Sequence, residues 1–308
     1  MGSMIERKLI VVTGKGGVGK TTVAASLGLA ATRRGLRAIV VELGGQQSLA
    51  AMFGARGDPD AGGEIELSDG LWGTSLDPDR ALADWLGTLT GRLSARMIGS
   101  RATFQYFVAA APGAKELLSM IKVWELTQQQ RWRGAQRSYD LVILDAPATG
   151  HALGLLRSPH TFEAIARVGP VAAQTQKVRE LLADRQRTAY LAVARPAEMA
   201  VTETLELAAG LPEQLGRELE AVIVNGVLRR RFTNGELGRL AGVDGDRALA
   251  AAALAAAREV NERTRIQRNQ LARLRRRELR AVTVPFLFTA RIELEHIQSI
   301  AERLERRL

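Results

Sequence analysis

The residues best suited to chemistry lie in one glycine-rich segment near the start of the chain. Residues 8–22 read KLIVVTGKGGVGKTT, so an apolar run precedes the glycines, and Lys20, Thr21 and Thr22 follow them. Glycines let backbone N–H groups approach phosphate oxygens, and the N-terminus of the helix predicted to follow favours anions. The spacing G-x-x-x-x-G-K-T is that of a P-loop, in which Lys20 would contact nucleotide phosphates and Thr21 would ligate Mg²⁺. The predicted nucleotide-binding residues of this loop are Gly14, Lys15, Gly16, Gly17, Val18, Gly19, Lys20, Thr21 and Thr22.

Alternating strands and helices must hold this loop. Helical stretches separate the apolar runs, and this pattern predicts an α/β fold with a mostly parallel sheet and helices on both faces. Helices are predicted from Lys20 to Arg34, over about 246–280 and from about Arg291 to Leu308, whereas residues 55–70 are rich in turn residues and are expected to be exposed. The predicted strands are Leu9–Val12, Ala38–Leu43, Leu71–Leu76, Leu141–Leu144, Tyr190–Ala194, Ala221–Val224 and Val282–Phe286.

Residues 79–137 show repeated helical spacing and little strand character. We expect one P-loop domain over residues 4–308, with residues 79–137 inserted in it as a helical subdomain. Apolar stripes of this kind belong to a core more often than to a client-binding surface. The stripes are Leu82, Trp85, Leu86 and Leu89, then Phe104, Phe107 and Val108, and then Leu117, Leu118, Ile121, Trp124 and Leu126.

An acidic residue ends the strand predicted at Leu141–Leu144. This strand delivers Asp145 to the carboxyl edge of the sheet, where the P-loop also lies. A rigidly held carboxylate at that place suits a second contact to the Mg²⁺ ion. Thr21 and Asp145 are therefore the predicted metal site, with ATP or ADP and Mg²⁺ as cofactors.

A second lysine inside the loop narrows the class of P-loop protein. Lys15 gives the loop the form G-K-G-G-V-G-K-T, which adds positive charge where negative charge develops during phosphoryl transfer. The loop resembles the deviant Walker A motif of the ParA, MinD, ArsA and nitrogenase-iron-protein class. In that class the extra lysine reaches the nucleotide of a partner subunit, so the resemblance implies a dimer in which Lys15 acts in trans.

Residues 144–160, LDAPATGHALGLLRSPH, carry the most specific resemblance. They resemble the switch II segment of the ArsA and tail-anchored-protein-targeting (Get/TRC) ATPases. Residues 194–211, 221–227 and 284–288 resemble further segments of that family, so the similarity covers nearly the whole chain. It implies an ATP-binding and ATP-hydrolysing dimeric switch that couples nucleotide state to a client or membrane protein. It also implies an adenine site at Asn225, Pro285 and Phe286, and leaves open whether His151 senses the γ-phosphate or is structural.

The chain departs from this family at switch I. An ungapped alignment from Leu49 and Phe53 places Gly44 where the family has its catalytic Asp, and glycine cannot orient or deprotonate water. Glu42 lies two residues upstream and would point to the same side of an extended strand, whereas Gln46 or Gln47 could orient water as a GTPase glutamine does. We therefore expect slow hydrolysis, with Lys15, Lys20, Glu42 and Asp145 as the catalytic residues.

The composition limits the partners. The chain has no cysteine, which excludes a cysteine zinc staple and a thiolate arsenite site and suits a cytoplasmic enzyme. The net charge of +10 is spread along the chain, and no aromatic residues interleave the arginines of 246–280, so we do not expect a nucleic-acid partner. That basic segment is read as a solvated helix face, with contact to acidic lipid as the alternative.

Two interpretations stay open, and a third is disfavoured. In the first, a homodimer closes on ATP and opens after hydrolysis. In the second, the chain is a nucleotide-binding, weakly hydrolysing subunit that pairs with a related ATPase supplying the carboxylate missing at Gly44. A ParA-like DNA-segregation ATPase is disfavoured by the segment at 144–160 and by Asn225.

Overall fold

The structure, a computed structural model, has a predominantly parallel β-sheet at its centre. It describes residues 4–43, 48–55, 63–88, 112–132, 137–165, 169–243 and 247–308. Across those ranges eight strands pair in the order β3-β4-β2-β5-β1-β6-β7-β8, and β3 alone among them runs antiparallel to its neighbour. The strands are β1 Leu9–Thr13, β2 Ala38–Leu43, β3 Glu64–Ser68, β4 Leu71–Leu76, β5 Leu141–Asp145, β6 Thr188–Ala194, β7 Ala221–Val227 and β8 Ala281–Pro285.

Helices connect the parallel strands, as crossover connections require. A short 3₁₀ helix, Met4–Glu6, precedes β1. The α-helices of the described ranges are α1 Lys20–Thr32, α2 Ser48–Phe53, α3 Pro78–Thr88, α4 Ala114–Leu126, α5 Thr149–Ile165, α6 Pro170–Ala183, α7 Glu198–Leu215, α8 Asn234–Ala241, α9 Arg247–Arg276 and α10 Leu294–Glu305. The α/β class predicted from the sequence is confirmed.

The two faces of the sheet bury separate cores because side chains alternate along each strand. Leu9 and Val11 of β1 point to a core shared with α4, α5 and α6. Ile10 and Val12 point to the opposite core, which α1 and α10 cover. Buried on both faces, the central strands read as continuous apolar runs, which is why the sequence reveals them so clearly.

The position of β1 determines where the functional residues meet. It lies between β5 and β6, with Val12 in register with Asp145 and with Leu191. The carboxyl ends of these strands therefore lie side by side, and ligands of open parallel sheets bind at such an edge. The loop after β1, the last residue of β5 and the segment after β6 all reach the same edge.

Helix α1 ends earlier than its sequence pattern predicts. The helix stops at Thr32, two residues before the expected Arg34. Arg33 and Arg34 continue as a turn that leads to Gly35, whose φ of +77° an L side chain rarely adopts. The last helix likewise begins at Leu294, because Glu293 forms its N-cap.

In the parts of 79–137 that the structure describes, the region predicted to be a helical insertion contains α4 and, from its second residue on, α3. Of the apolar stripes, Leu82 and Trp85 on α3 and Leu117 and Ile121 on α4 are buried in the same core as the sheet. The prediction that these stripes are core is confirmed for those residues. The stripe at Phe104, Phe107 and Val108 lies outside the described residues, and the subdomain boundaries stay a prediction.

The expectation that residues 55–70 are exposed turns is wrong for the second half of that range. Residues Glu64–Ser68 form β3, which pairs with β4 through a register shift. Glu64 is only 4% exposed, accepts a hydrogen bond from Tyr139 at 2.6 Å and lies 2.6 Å from Arg131. The buried position of this short strand is occupied by a charged residue, Glu64, whose partners lie far away in the sequence. The strand therefore lacks the apolar pattern by which strands are recognised in a sequence.

The long helix predicted over about 246–280 is confirmed as α9, although it ends at Arg276 and so excludes the last four residues of the predicted range. Several of its charges pair within the helix, including Arg263 with Glu259 and Arg265 with Glu262. Such exposed pairs contribute little to stability and are typical of a solvated surface. Across the described ranges, no helix has the length and hydropathy needed to span a membrane.

Candidate functional site

The glycine-rich loop turns tightly between β1 and α1. Gly14 has a φ of +141°, and a Cβ placed on it would lie 2.1 Å from the Val193 carbonyl oxygen of β6. Gly19 forms the N-cap of α1 with a φ of +94°, and no side chain caps the helix. The first amides of α1 are therefore open to a ligand, and the helix dipole favours an anion there.

Lys20 is the first residue of α1, and it folds back over the loop. Its ammonium donates to the carbonyl oxygens of Gly14 and Lys15, both at 3.1 Å. Burial lowers the pKa of Lys20, and the nearby Asp145 carboxylate opposes that effect. A partly desolvated ammonium held on loop carbonyls is positioned to exchange these weak acceptors for phosphate oxygens.

Thr21 and Asp145 meet at the base of the loop. The Thr21 hydroxyl donates to Asp145 Oδ2 at 2.5 Å. The other carboxylate oxygen, Asp145 Oδ1, is buried and has no hydrogen-bond partner among the described residues, and burial raises the pKa of this carboxyl. A hydroxyl and a buried carboxylate with one unsatisfied oxygen are hard oxygen ligands of the kind Mg²⁺ uses beside nucleotide phosphates.

Glu42 lies beside Asp145 on the neighbouring strand. The two residues are in register between β2 and β5, so their side chains emerge on the same face of the sheet. Burial raises the pKa of Glu42, which accepts a hydrogen bond from the Ser48 hydroxyl at the start of α2. Gly44, Gln46 and Gln47, which the sequence places at switch I, lie outside the described residues.

A cavity of about 520 Å³ joins these groups. The glycine loop, the start of α1 and the ends of β2 and β5 line it, so Lys20, Thr21, Glu42 and Asp145 face one space. The residues that the sequence assigns to phosphate, metal and water activation thus converge, although they are far apart along the chain. Such convergence of carboxylates, a lysine and free helix amides suits phosphoryl chemistry.

A second cavity of about 220 Å³ lies beyond Gly17 and Gly19. Asn225, Pro285 and Phe286, the predicted base-binding residues, all line it. The Asn225 amide nitrogen donates to the Val18 carbonyl at 2.9 Å, and a Cβ on Gly19 would lie 2.4 Å from that nitrogen. This cavity, the predicted base site, therefore packs directly on the glycine loop.

Lys15 pairs with a residue of α7 within its own chain. Its ammonium forms an ion pair with Glu203 of α7, and both side chains are about one-third exposed. His151 lies exposed in the first turn of α5, close to Asp145 in sequence.

Three residues of this edge were not assigned roles by the sequence analysis: Ser48, Arg195 and Glu203. Ser48 contacts Glu42, Glu203 contacts Lys15, and Arg195 lines the base cavity. The sequence could have indicated Arg195, because this residue directly follows a buried strand. The carboxyl end of such a strand lies at the edge of the sheet where ligands bind. No comparable local signal exists for a helical glutamate that pairs across 188 positions of sequence.

Comparison with known proteins agrees with this geometry. Residues 7–168, just over half of the chain, match the family model described as anion-transporting ATPase, ArsA. The chain is 30% identical over 232 residues to the ATPase BagA of Mycobacterium tuberculosis, covering 71% of this chain and 64% of that protein. It is 23% identical over 289 residues to the ATPase ARSA1 of Chlamydomonas reinhardtii, covering 74% of this chain and 36% of the relative. The chain thus spans less than two thirds of the length of either relative.

The buried carboxylate leads to a prediction about stability. Asp145→Asn should raise the melting temperature of the protein free of nucleotide and metal at pH 7, because it removes a desolvated charge. The pKa of Asp145 is raised on folding, so its ionisation costs stability above that pKa and costs nothing below the ordinary value of 3.8. The advantage of the variant should therefore shrink as pH falls toward 4, measured by thermal melts in chelator.

Asp79→Asn provides the matched control, since Asp79 is exposed in the first turn of α3. Its melting temperature should show no comparable pH-dependent gain. A lower melting temperature for Asp145→Asn at pH 7 would contradict the account, because it would show that the charged form of Asp145 stabilises the free protein.

Proposed function

Because this chain belongs to the anion-transporting ATPase (ArsA) family, we propose that it binds ATP with Mg²⁺ and hydrolyses it as a dimeric switch. The observation that carries the proposal is the hydrogen bond from Thr21 to the buried Asp145 carboxylate, directly below Lys20 and the open N-terminus of α1. Phosphate and a divalent cation need these groups together, and a structural role alone leaves Asp145 Oδ1 without a partner among the described residues.

In this proposal the glycine-rich loop binds the phosphates. Backbone amides from Gly16 to Thr21 and the Lys20 ammonium would surround the β- and γ-phosphates, with Lys20 leaving the carbonyls of Gly14 and Lys15. Thr21 and Asp145 would hold Mg²⁺, which supplies charge neutralisation for the transferring phosphoryl group when bound. The protein's contribution is positioning and preorganised charge, which provide most of the catalysis in this reaction class.

Glu42 is our proposed activator of the attacking water. It lines the phosphate cavity, and the hydrogen bond from Ser48 holds one of its carboxylate oxygens. Burial raises its pKa, which makes it a stronger base nearer to neutral pH than an exposed glutamate. This role compensates for Gly44, where the family resemblance places an aspartate. Turnover slower than that of an enzyme with the aspartate follows from the changed position.

Dimerisation is supported by the surface around the site. Met199 and Phe288 are 66% and 76% exposed, and both follow strands that end at the nucleotide edge. Large exposed apolar side chains next to a ligand site favour a covering partner. We propose a second copy of this chain, with Lys15 leaving Glu203 to reach the nucleotide of the partner. In that arrangement the ion pair to Glu203 belongs to the open state.

Coupling to a client protein or membrane partner would run through the helical region. Leu144 and Ala146, which flank Asp145, share one core with Leu117 and Ile121 of α4. A shift at the metal-binding strand end can therefore displace α4, since tightly packed cores transmit strain. We do not propose zinc or arsenite as a ligand held by thiolates, because the chain has no cysteine.

A second candidate function rests on Gly44. If Glu42 does not activate water, the chain would bind nucleotide but depend on a related ATPase subunit for the missing carboxylate. The two functions differ in one measurable property, the turnover of the pure chain.

Substitution of Glu42 tests its role as the base. Glu42→Gln keeps the shape of the side chain and its contact to Ser48 but removes the base. We expect it to lower ATP turnover by about a hundredfold while ATP affinity changes little, because general bases contribute factors of this size. Turnover of the wild type should fall as pH drops through the raised pKa of Glu42, and the variant should lose that dependence. Steady-state phosphate release between pH 5 and pH 8 measures both effects.

Glu66→Gln is the control, since Glu66 is an exposed strand residue away from this cavity. An unchanged turnover rate in Glu42→Gln would refute the role of Glu42. Gln46 and Gln47 would then be the candidates for orienting the attacking water. Turnover that appears only after mixing with a related ATPase would favour the partner-subunit function.

The second prediction concerns Lys15. Lys15→Ala should retain ATP binding but lose the ATP-dependent dimer and its turnover, because only the trans contact is removed. Glu203→Gln frees Lys15 from its ion pair and should shift the equilibrium toward the dimer at a given ATP concentration. Sedimentation velocity with and without a slowly hydrolysed ATP analogue measures both. A Lys15→Ala variant that dimerises and turns over like the wild type would rule out the trans role.

A further inference from the structure

Arg195 is an arginine at the nucleotide edge that the proposed function does not use. It directly follows β6, whose last residue is Ala194, and it is exposed. Within the described residues its guanidinium forms no hydrogen bond or ion pair, although the chain is rich in carboxylates. The side chain lines the cavity of about 220 Å³ that contains Asn225 and Phe286, and it does not line the phosphate cavity.

The position of Arg195 follows from the order of the strands. β6, β7 and β8 are consecutive neighbours in the sheet; Arg195 and Phe286 directly follow β6 and β8, and Asn225 lies near the end of β7, which runs to Val227. Neighbouring strands lie about 4.8 Å apart, so the two outer strand ends are separated by about 10 Å. A flat ring about 3.5 Å thick, contacted on both faces, fits within that distance.

Gly226 leaves the space between the two side chains open. It has a φ of +78°, and a Cβ on it would lie 3.5 Å from Arg195 Nη2 and 3.7 Å from Phe286 Cδ2. Both the guanidinium and the phenyl ring therefore lie over this glycine. Any side chain there would be strained and would contact both groups, so the glycine keeps clear the volume that a ring would occupy.

Asn225 is oriented to bind the edge of such a ring. One N–H of its amide is committed to the Val18 carbonyl. Among the described residues the second N–H and the carbonyl oxygen have no partner, Asn225 lines the cavity, and a donor and acceptor pair of this kind matches the edge of adenine. Hydrogen bonds at the edge fix the base in its plane but leave both of its faces to be covered.

We propose that Arg195 covers one face of the adenine by stacking its guanidinium on the ring, opposite Phe286. The proposal rests on the nucleotide function above and extends it to a residue that selects for a base. A planar guanidinium stacks on a nucleobase and adds cation–π attraction, whereas an ammonium lacks the plane. The free charge and the exposed position of Arg195 are explained by this role, because the base covers it when bound.

The test separates base contacts from phosphate contacts. Calorimetry would measure the binding of Mg-ATP, Mg-ADP and inorganic tripolyphosphate to the wild type, Arg195→Ala and Arg195→Lys. Arg195→Ala should weaken ATP and ADP alike by about tenfold, the size expected for a partly desolvated cation–π contact. Tripolyphosphate should bind as to the wild type, and Arg195→Lys should restore part of the affinity.

Arg306→Ala is the matched control. Arg306 is an exposed arginine at the end of α10, next to the carboxyl end of α1 and so away from the loop. Melting temperatures of the nucleotide-free variants check that the fold is intact. Equal ATP affinity in Arg195→Ala would overturn the proposal, and so would a matching loss of tripolyphosphate binding, which would place Arg195 on phosphate. A wild type that binds no ATP would instead defeat the proposed function together with this inference.

Discussion

The hydrogen bond between the Thr21 hydroxyl and the Asp145 carboxylate links the two elements on which the site depends. Thr21 belongs to the first turn of α1, and Asp145 is the last residue of β5. The bond therefore fixes the N-terminus of the helix against the edge of the sheet. It satisfies only one of the two carboxylate oxygens, and the desolvated charge that results is a cost to the free protein. Such a cost is expected where a group is kept for binding and not for stability.

The parallel sheet explains how distant residues reach this point. The parallel strands bring their carboxyl ends to one edge, so Glu42 and Asp145 line one cavity and Asn225 lines a second cavity along the same edge. The glycines of the loop allow β1 to approach β6 and Asn225 closely, which joins the phosphate and base cavities. Backbone packing therefore fixes the relative positions of the two cavities in which we propose that phosphate, metal and base bind.

Much of this arrangement was accessible from the sequence. The P-loop, Asp145, Asn225 and the central strands are encoded locally, by glycine spacing, by apolar runs and by the residue at each strand end. β3 was missed because its inward side chain is Glu64, which pairs with Tyr139 and Arg131 far along the chain. The ion pair of Lys15 with Glu203 was invisible for the same reason, since only the folded chain brings α7 beside the loop.

The central claim is that the glycine loop binds the phosphates of ATP, and titration calorimetry on Lys20→Ala tests it most directly. The account predicts that wild-type protein binds Mg-ATP and that the variant binds it at least about tenfold more weakly, since a charge-assisted phosphate contact is lost. Lys8→Ala, which changes a lysine before β1, should bind like the wild type. Equal affinity of wild type and Lys20→Ala for Mg-ATP would contradict the account.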